Sequence, residues 1–471
     1  MKNRKRKQSL YLISTVLLII AMALTLTACG DAEEVVEGAI TVPDDYSTIQ
    51  EAIDAAEDGD VIVVRPGRYT ERIDFQGKNI TLRSTDPADS EVVSETIIDA
   101  GGVDSVVSFR SGESENAVIS GFTITGGSGN MEILEFEIEG EMREVPSLYG
   151  GGIIILNDSS PTISSNVIKD NVAERGGGIL VYASSPTIQD NTIVDNLSTG
   201  GGGGVFLADS SASLSDNEIT NNSAGRSGGG IAISGEGVSP SSIDGNRISN
   251  NRAENGAAFS IFQSNPVISN NQVINNTAAN IGGGFYLVSS SPEIRGNDIS
   301  DNQGGPSGGG VAIYFESSPE LVDNLIIGND ADAGGGISVL VDSAPQISNN
   351  TISDNRARLG GGLLIGENST PQITGNDITE NYAERNGAGI FIQEAEPVLE
   401  GNSIRNNEAR RDGGGIYTLL DAIVTLSNNI FENNRASQGG AIHVSEGAVL
   451  ELGDPDDNTY QGNVPNDVHQ E

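Results

Sequence analysis

Gly176-Gly177-Gly178-Ile179-Leu180-Val181-Tyr182-Ala183-Ser184-Ser185-Pro186-Thr187-Ile188-Gln189-Asp190-Asn191-Thr192-Ile193-Val194-Asp195-Asn196 contains a glycine run, an alternating strand, a Ser-Ser-Pro turn and two short strands punctuated by asparagine. The first apolar residue after each such glycine run falls at Ile153, Ile179, Val205, Ile231, Phe259, Phe285, Val311, Ile337, Leu363, Ile390, Ile416 and Ile442, and nine of the eleven gaps are 26 residues. A period of that length marks a stacked repeat rather than a string of ordinary domains. Gly, Pro and Asn interrupt every few positions and the apolar residues alternate, so no coil has room for a helix of useful length.

The asparagines form two unbroken columns. The first includes Asn191, Asn217, Asn271, Asn297, Asn350 and Asn376, and the second runs five residues later through Asn196, Asn222 and Asn276. An Asn tolerates left-handed backbone at a tight turn, and its amide can bond the coils on either side, so the columns are expected to be structural. Twelve coils stacked at ~4.8 Å make a rod of roughly 60 Å, with irregular coils before them. A leucine-rich repeat is the competing solenoid, but the leucine frame and its helical arc are missing.

Upstream, Ser47-Thr48-Ile49-Gln50 reads as a capping box with Ser47 as N-cap, and Ile49, Ala52, Ile53 and Ala56 share one helical face. The strand Val61-Ile62-Val63-Val64 follows, closed by Arg65-Pro66-Gly67. A short amphipathic helix at the first coil gives the solenoid a lid.

The asparagine ladder, the three-strand coil and the opening Tyr46-Ser47-Thr48-Ile49-Gln50-Glu51-Ala52-Ile53 resemble the right-handed parallel β-helix proteins of the pectin-lyase-like superfamily over residues 40 to 465. The Asn-x-Ala-x-x-Gly-Gly-Gly-Ile unit and Phe431-Glu432-Asn433-Asn434 also resemble repeats of polymorphic outer-membrane proteins, without their barrel. The resemblance implies an all-β chain that winds into one right-handed solenoid with a capping helix. It does not fix an activity, because the superfamily holds lyases, hydrolases, esterases, epimerases, adhesins and binders.

Lys2, Arg4, Lys5, Arg6 and Lys7 precede an apolar stretch, Leu10 to Leu26, as in a secretory signal. Leu26-Thr27-Ala28-Cys29 resembles the lipobox of bacterial lipoproteins, which implies cleavage before Cys29 and a lipid on that residue. The expected organisation is a signal peptide over 1–28, an acidic tether over 29–39 and a cap with irregular coils over 40–127. A hairpin-like insertion over 128–149, turning at Glu139-Gly140, and twelve regular coils over 150–471 complete it. The expected location is the cell envelope, at the outer membrane or surface, with the membrane as a partner through the lipid.

The chain of 471 residues carries a net charge of -41, from 66 acidic and 25 basic side chains. That surface repels nucleic acid. One Cys and two His rule out an intramolecular disulfide and leave too few ligands for zinc, haem or an iron-sulfur cluster.

Chemistry is sought on the outward side of the first strand of each coil, where alternation places Tyr182, Phe206, Phe262, Tyr286, Tyr314, Phe391 and Tyr417, seven of the 21 aromatics. An exposed stripe of this kind suits sugar rings or a partner surface, whereas cross-coil ring packing would only stiffen the rod. The turn before the glycine run gathers Arg175, Arg226, Arg252, Arg356, Arg358, Arg385, Arg410, Arg411 and Arg435. Together with the aromatics these arginines would form a groove for an acidic polysaccharide. Glu174, Glu254, Glu384 and Glu408 offer ion pairing instead.

The outward face holds no carboxylate, its one notable titratable group is His443, and no polygalacturonase or methylesterase motif is present. Catalytic residues are therefore not assigned. No cofactor is expected, apart from Ca²⁺ held by Asp330, Asp332, Asp454, Asp456 and Asp457. Copper handling is disfavoured by four Met and two His. The sequence thus favours an envelope-anchored module that binds polysaccharide or a partner surface. The alternatives are a polysaccharide lyase, hydrolase or epimerase, and an adhesin-like spacer.

Overall fold

A computed structural model describes residues 38–138, 141–235, 240–452 and 457–471. The signal segment, Cys29 and the tether up to Glu37 lie outside these residues, as do Glu139, Gly140, Asp454 and Asp456. One unit runs from Ile40 to Glu471. Among the described residues no helix is long and apolar enough to cross a membrane.

Each coil lays down three short strands. The strand after the glycine run, such as Ile179–Tyr182, belongs to sheet I, Thr187–Gln189 to sheet II and Thr192–Val194 to sheet III. Stacking gives parallel sheets of 15, 16 and 15 strands, a β-solenoid. Register is kept from coil to coil, as in Ile179 on Val205, Val205 on Ile231 and Ile231 on Phe259. These inward residues are fully buried in a continuous axial core, where Phe259 stacks on Phe285 with centroids 4.6 Å apart. Each buried aliphatic side chain contributes ~1.5–3 kcal/mol before ordering entropy is charged against it.

The asparagine columns hold the two corners that flank sheet III. Asn191 donates both its backbone N–H and its Nδ2 to Asn217 Oδ1, each at 3.0 Å, and Nδ2 also donates to Ile163 O at 2.8 Å. Asn217, Asn271, Asn297, Asn350 and Asn376 repeat the arrangement and are buried. The left-handed residue is not the ladder Asn but the one before it, as at Asp190 (φ 55°), Asp216 (φ 53°) and Asn270 (φ 54°). That division of labour explains why Asp, Asn or Gly so often precedes the ladder residue.

The glycine run answers two separate constraints. Gly176 has φ +67°, and a Cβ on Gly177 would lie 2.5 Å from Gly203 O of the next coil. The first position needs left-handed backbone and the second needs close approach.

The N-terminal helix spans Ile49–Ala55, and its N-cap is Thr48 rather than Ser47. Thr48 Oγ1 accepts from Glu51 N at 3.2 Å, while Ser47 Oγ donates to Glu51 Oε2 at 2.8 Å, so the box is set one residue later than expected. Glu71 accepts from the N–H groups of Ile49 and Gln50, and Lys78 Nζ donates to the carbonyls of Ile53, Asp54 and Ala56. Opposite charges thus sit at the two ends of the helix dipole. A second short helix, Ser90–Glu95, capped by Asp89, was not foreseen because its single buried residue, Val93, gives no periodic signal.

The turn before most glycine runs is itself a short strand, and at Gln303 and Arg435 it makes only isolated bridges. These strands build a side sheet in two stretches, seven-stranded and four-stranded. The seven-stranded stretch begins with an antiparallel hairpin, Asn130–Ile138 paired with Glu141–Tyr149, which joins the solenoid where Tyr149 pairs with Arg175.

Candidate functional site

The hairpin decides which part of the outward face of sheet I meets solvent. Its inner residues Leu134, Phe136 and Tyr149 pack on Ile154, Leu180, Phe206 and Ala232, so four coils of that face are covered. Phe136 lies edge-on to Tyr182 and Phe206, with centroids at 5.7 and 6.5 Å. Arg175 stands over Phe136 and Phe206 at 5.1 and 5.6 Å, a cation–π sandwich that closes the edge. Burial pushes the Tyr149 phenol up to about 12.

The expected exposed stripe is therefore corrected. Phe206, Phe391 and Tyr417 are buried, and only Phe262, at 44 %, is broadly exposed. Tyr182, Tyr286 and Tyr314 are half-buried. Towards the C-terminal coils Phe391, Tyr417, His443 and His469 stack ring on ring, at 5.4, 5.0 and 5.0 Å. The face is closed there by Leu364 with Leu340, Leu359 and Leu419 alongside. His443, expected at the surface, is 1 % exposed, and burial lowers its pKa. The sequence shows which side of the strand a residue takes, but not what lands on that side.

Between the hairpin and these closed coils lies an open cleft of about 370 Å³, lined by Phe136, Asp209, Ser234, Gly235, Phe262, Gln263 and Ser289. Ser234 Oγ is buried and has no hydrogen-bond partner among the described residues. Beyond Phe262, Val288 and Tyr314 follow in register on the next two coils. Tyr286 meets Tyr314 edge-on at 5.9 Å, and Phe315 lies 6.0 Å from Tyr314. Phe315 is 46 % exposed and holds φ 54°, at the position where other coils place Ala183, Asp209, Gln263, Ser289, Val341, Glu367 and Leu420, so it is the one ring there among the described coils. A bulky ring in left-handed backbone is strained, and at 46 % exposure the ring offsets only part of that cost by burial. Phe315 was missed because it sits in the turn after the strand, outside the alternation.

The arginines do not join this cleft. Arg356 pairs with Glu384 Oε1 at 2.6 Å and Asp330 Oδ2 at 3.8 Å, and both Arg356 and Arg410 stand over Tyr382, at 5.0 and 5.9 Å. Arg385 is exposed in the bend after the side-sheet strand Tyr382–Ala383. A combined aromatic and arginine groove is thus not formed by Arg356, Arg385 and Arg410, which are committed to or aligned along the side sheet. Asp330 is raised by burial, and among the described residues no three His, Cys, Asp or Glu side chains cluster as metal ligands do.

A second polar cleft of about 340 Å³ opens on the first coils, lined by Gln50, Arg72, Asp74, Asp104, Ser105, Ser108, Arg110 and Asn130 with Ile73. Arg72 pairs with Asp104, and Arg110 with Glu132 at 3.0 Å.

A model of the right-handed β-helix region matches residues 88–238, 198–340 and 331–454. Among solved structures, the catalytic unit of a thermostable GH87 α-1,3-glucanase from Streptomyces thermodiastaticus is 12 % identical, with a TM-score of 0.30 over 94 % of this chain and 70 % of that one. XylC in complex with xylose is 12 % identical, with a TM-score of 0.31 over 89 % and 84 %. The Siphovirus 9NA tailspike receptor-binding domain is 13 % identical, with a TM-score of 0.27 over 91 % and 76 %. No curated protein matches the chain. With its parallel coils, its asparagine ladders and a family match that runs through most of its length, the chain belongs to the right-handed β-helix family.

Proposed function

We propose that this protein is an envelope-anchored module, lipidated at Cys29, that binds a polysaccharide in the cleft between the hairpin and the strand ending at Phe262. The observation that carries the reading is the pairing of an exposed aromatic ring with polar groups lining the same cleft, one of them a buried hydroxyl with no partner among the described residues. Phe262 stands 44 % exposed beside Ser234 Oγ, Gln263 and Asp209, while Phe206, Phe391 and Tyr417 of the same face are buried. Sugar rings present an apolar face and a hydroxyl edge, and this cleft offers a counterpart to each. Tyr286, Tyr314 and Phe315 extend the surface along the rod, so a chain rather than a single sugar fits it.

Binding without cleavage follows from the carboxylates. Asp209 is the one acidic side chain among the described lining residues of the cleft, and two-carboxylate glycoside hydrolysis needs a second. The hydrolytic alternative finds its support in the N-terminal cleft, where Asp74 and Asp104 line one cavity. Affinity electrophoresis of residues 40–471 through gels carrying neutral or acidic polysaccharides tests both, with and without calcium. Retardation with intact polymer, lost in Phe262→Ala, is the expected result. Polymer cleavage abolished by Asp74→Asn establishes the hydrolase instead, and migration unchanged in every gel leaves the adhesin-like spacer.

A further inference from the structure

The hairpin has a second face. Cross-strand register places Met131 opposite Leu148, Ile133 opposite Pro146 and Glu135 opposite Glu144, all pointing away from Leu134 and Phe136. Met131 is 66 % exposed, Ile133 61 % and Leu148 38 %, so the part nearest the solenoid is a bare apolar surface. Next to it Glu135 and Glu144 face each other, both exposed, with no basic residue in register on that face. Like charges directly opposite one another destabilise an isolated strand pair, as does uncovered Ile and Met.

The hairpin is nonetheless held firmly. Leu134, Phe136 and Tyr149 are buried beneath it, and Tyr182 Oη donates to Glu135 O at 2.8 Å. A preformed platform loses little conformational freedom when something binds it. We infer that the outer face of the hairpin is a docking surface for an extended basic segment of another protein. Apolar side chains of that segment cover Met131, Ile133 and Leu148, and its Arg or Lys side chains neutralise Glu135 and Glu144. A second copy of this chain is a poorer occupant, because its hairpin would bring the same two carboxylates against them. A lipid surface is poorer too, since burying the apolar half would drag both carboxylates into the interface.

Fluorescence anisotropy tests the surface with a set of labelled peptides in which Val, Ile, Leu or Phe alternates with Arg or Lys, and matched peptides in which Glu replaces the basic residues. The chain is compared with Ile133→Lys and with the Glu135→Lys, Glu144→Lys double variant. The side chains point away from the body, so melting is expected to stay unchanged in both. At least one basic peptide should bind, weaken about tenfold or more in each variant, and give way to its Glu-containing match in the double variant. Equal binding to parent and variants would mean only diffuse attraction to an acidic molecule and would overturn the inference, as would a set with no binder. Concentration-dependent self-association lost in Ile133→Lys would assign the face to a second copy. Co-sedimentation with zwitterionic or anionic vesicles lost in that variant would assign it to lipid.

Discussion

Tyr182 Oη donates a 2.8 Å hydrogen bond to the main-chain oxygen of Glu135, tying a sheet I strand of one coil to a hairpin inserted between earlier coils. Around that bond Phe136 is 8 % exposed and contacts Tyr149, Tyr182 and Phe206. Phe136→Ala removes the ring at the centre of the contact and is expected to cost about 3 kcal/mol locally, whereas Tyr182→Phe removes one hydrogen bond worth about 1 kcal/mol. Hydrogen exchange should show the amides of 130–138 and 141–149 opening in that order of severity, with the distant coils unaffected. Equal protection in Phe136→Ala would show that the hairpin is held by its base alone.

The ladder gives a second expectation. Asn297 Oδ1 accepts from Asn271 N and Nδ2 at 2.9 and 3.0 Å, and its own Nδ2 donates to Ile268 O and Asn324 Oδ1 at 3.0 Å. Asn297→Ala leaves several buried groups without partners, at about 1–3 kcal/mol each, so it should lower the melting temperature far more than Gly296→Ala. Gly296 has φ +62°, where an alanine costs about 1–2 kcal/mol of backbone strain. A calorimetric scan of the two variants decides the order.

These ladders were legible because each coil repeats them, and a repeated residue with one buried environment leaves a periodic trace. The left-handed residue at Asp190 or Asn270 leaves a weaker one, since Asp, Asn, Gly and Ser all serve there. Phe206 and Phe391 were placed on the correct side of the strand by alternation, yet their burial depends on Phe136 in one case and on the Tyr417 stack in the other. Such contacts join coils or insertions that no local pattern links. Phe262 stays open because the covered apolar cluster reaches only to Ala232.

His443 supplies a pH dependence. It is stacked between Tyr417 and His469, with Nδ1 buried and without a partner among the described residues and Nε2 3.7 Å from Glu471 Oε1. Burial lowers its pKa and the His469 charge adds to that, while Asp412 and Glu471 oppose the shift without overturning it. The unfolded chain therefore takes up this proton at higher pH than the folded one. The contribution of neutral His443 is complete above the ordinary histidine value of about 6.5 and is lost as pH falls from there through the folded value. Amide protection factors in residues 440–452, corrected for the intrinsic pH dependence of exchange, should fall as pH drops below the ordinary histidine value of about 6.5. His443→Phe keeps the ring stack, removes the buried Nδ1 and should flatten that dependence, and an unchanged profile in this variant would place the titration elsewhere.

The last expectation separates a ring that stabilises from a ring that binds. Phe391 is 3 % exposed and stacked on Tyr417 at 15°, so Phe391→Ala removes packing on both sides of the ring and should cost about 3 kcal/mol. Phe262 is 44 % exposed at the cleft, and its removal forfeits little packing. Phe262→Ala should therefore leave the melting temperature nearly unchanged while abolishing retardation by polysaccharide, and Phe391→Ala should lower melting while leaving retardation intact below its transition. If both variants melt early and both still bind, the rings of sheet I act only as cross-coil packing, and the binding surface must be sought among the exposed turns instead.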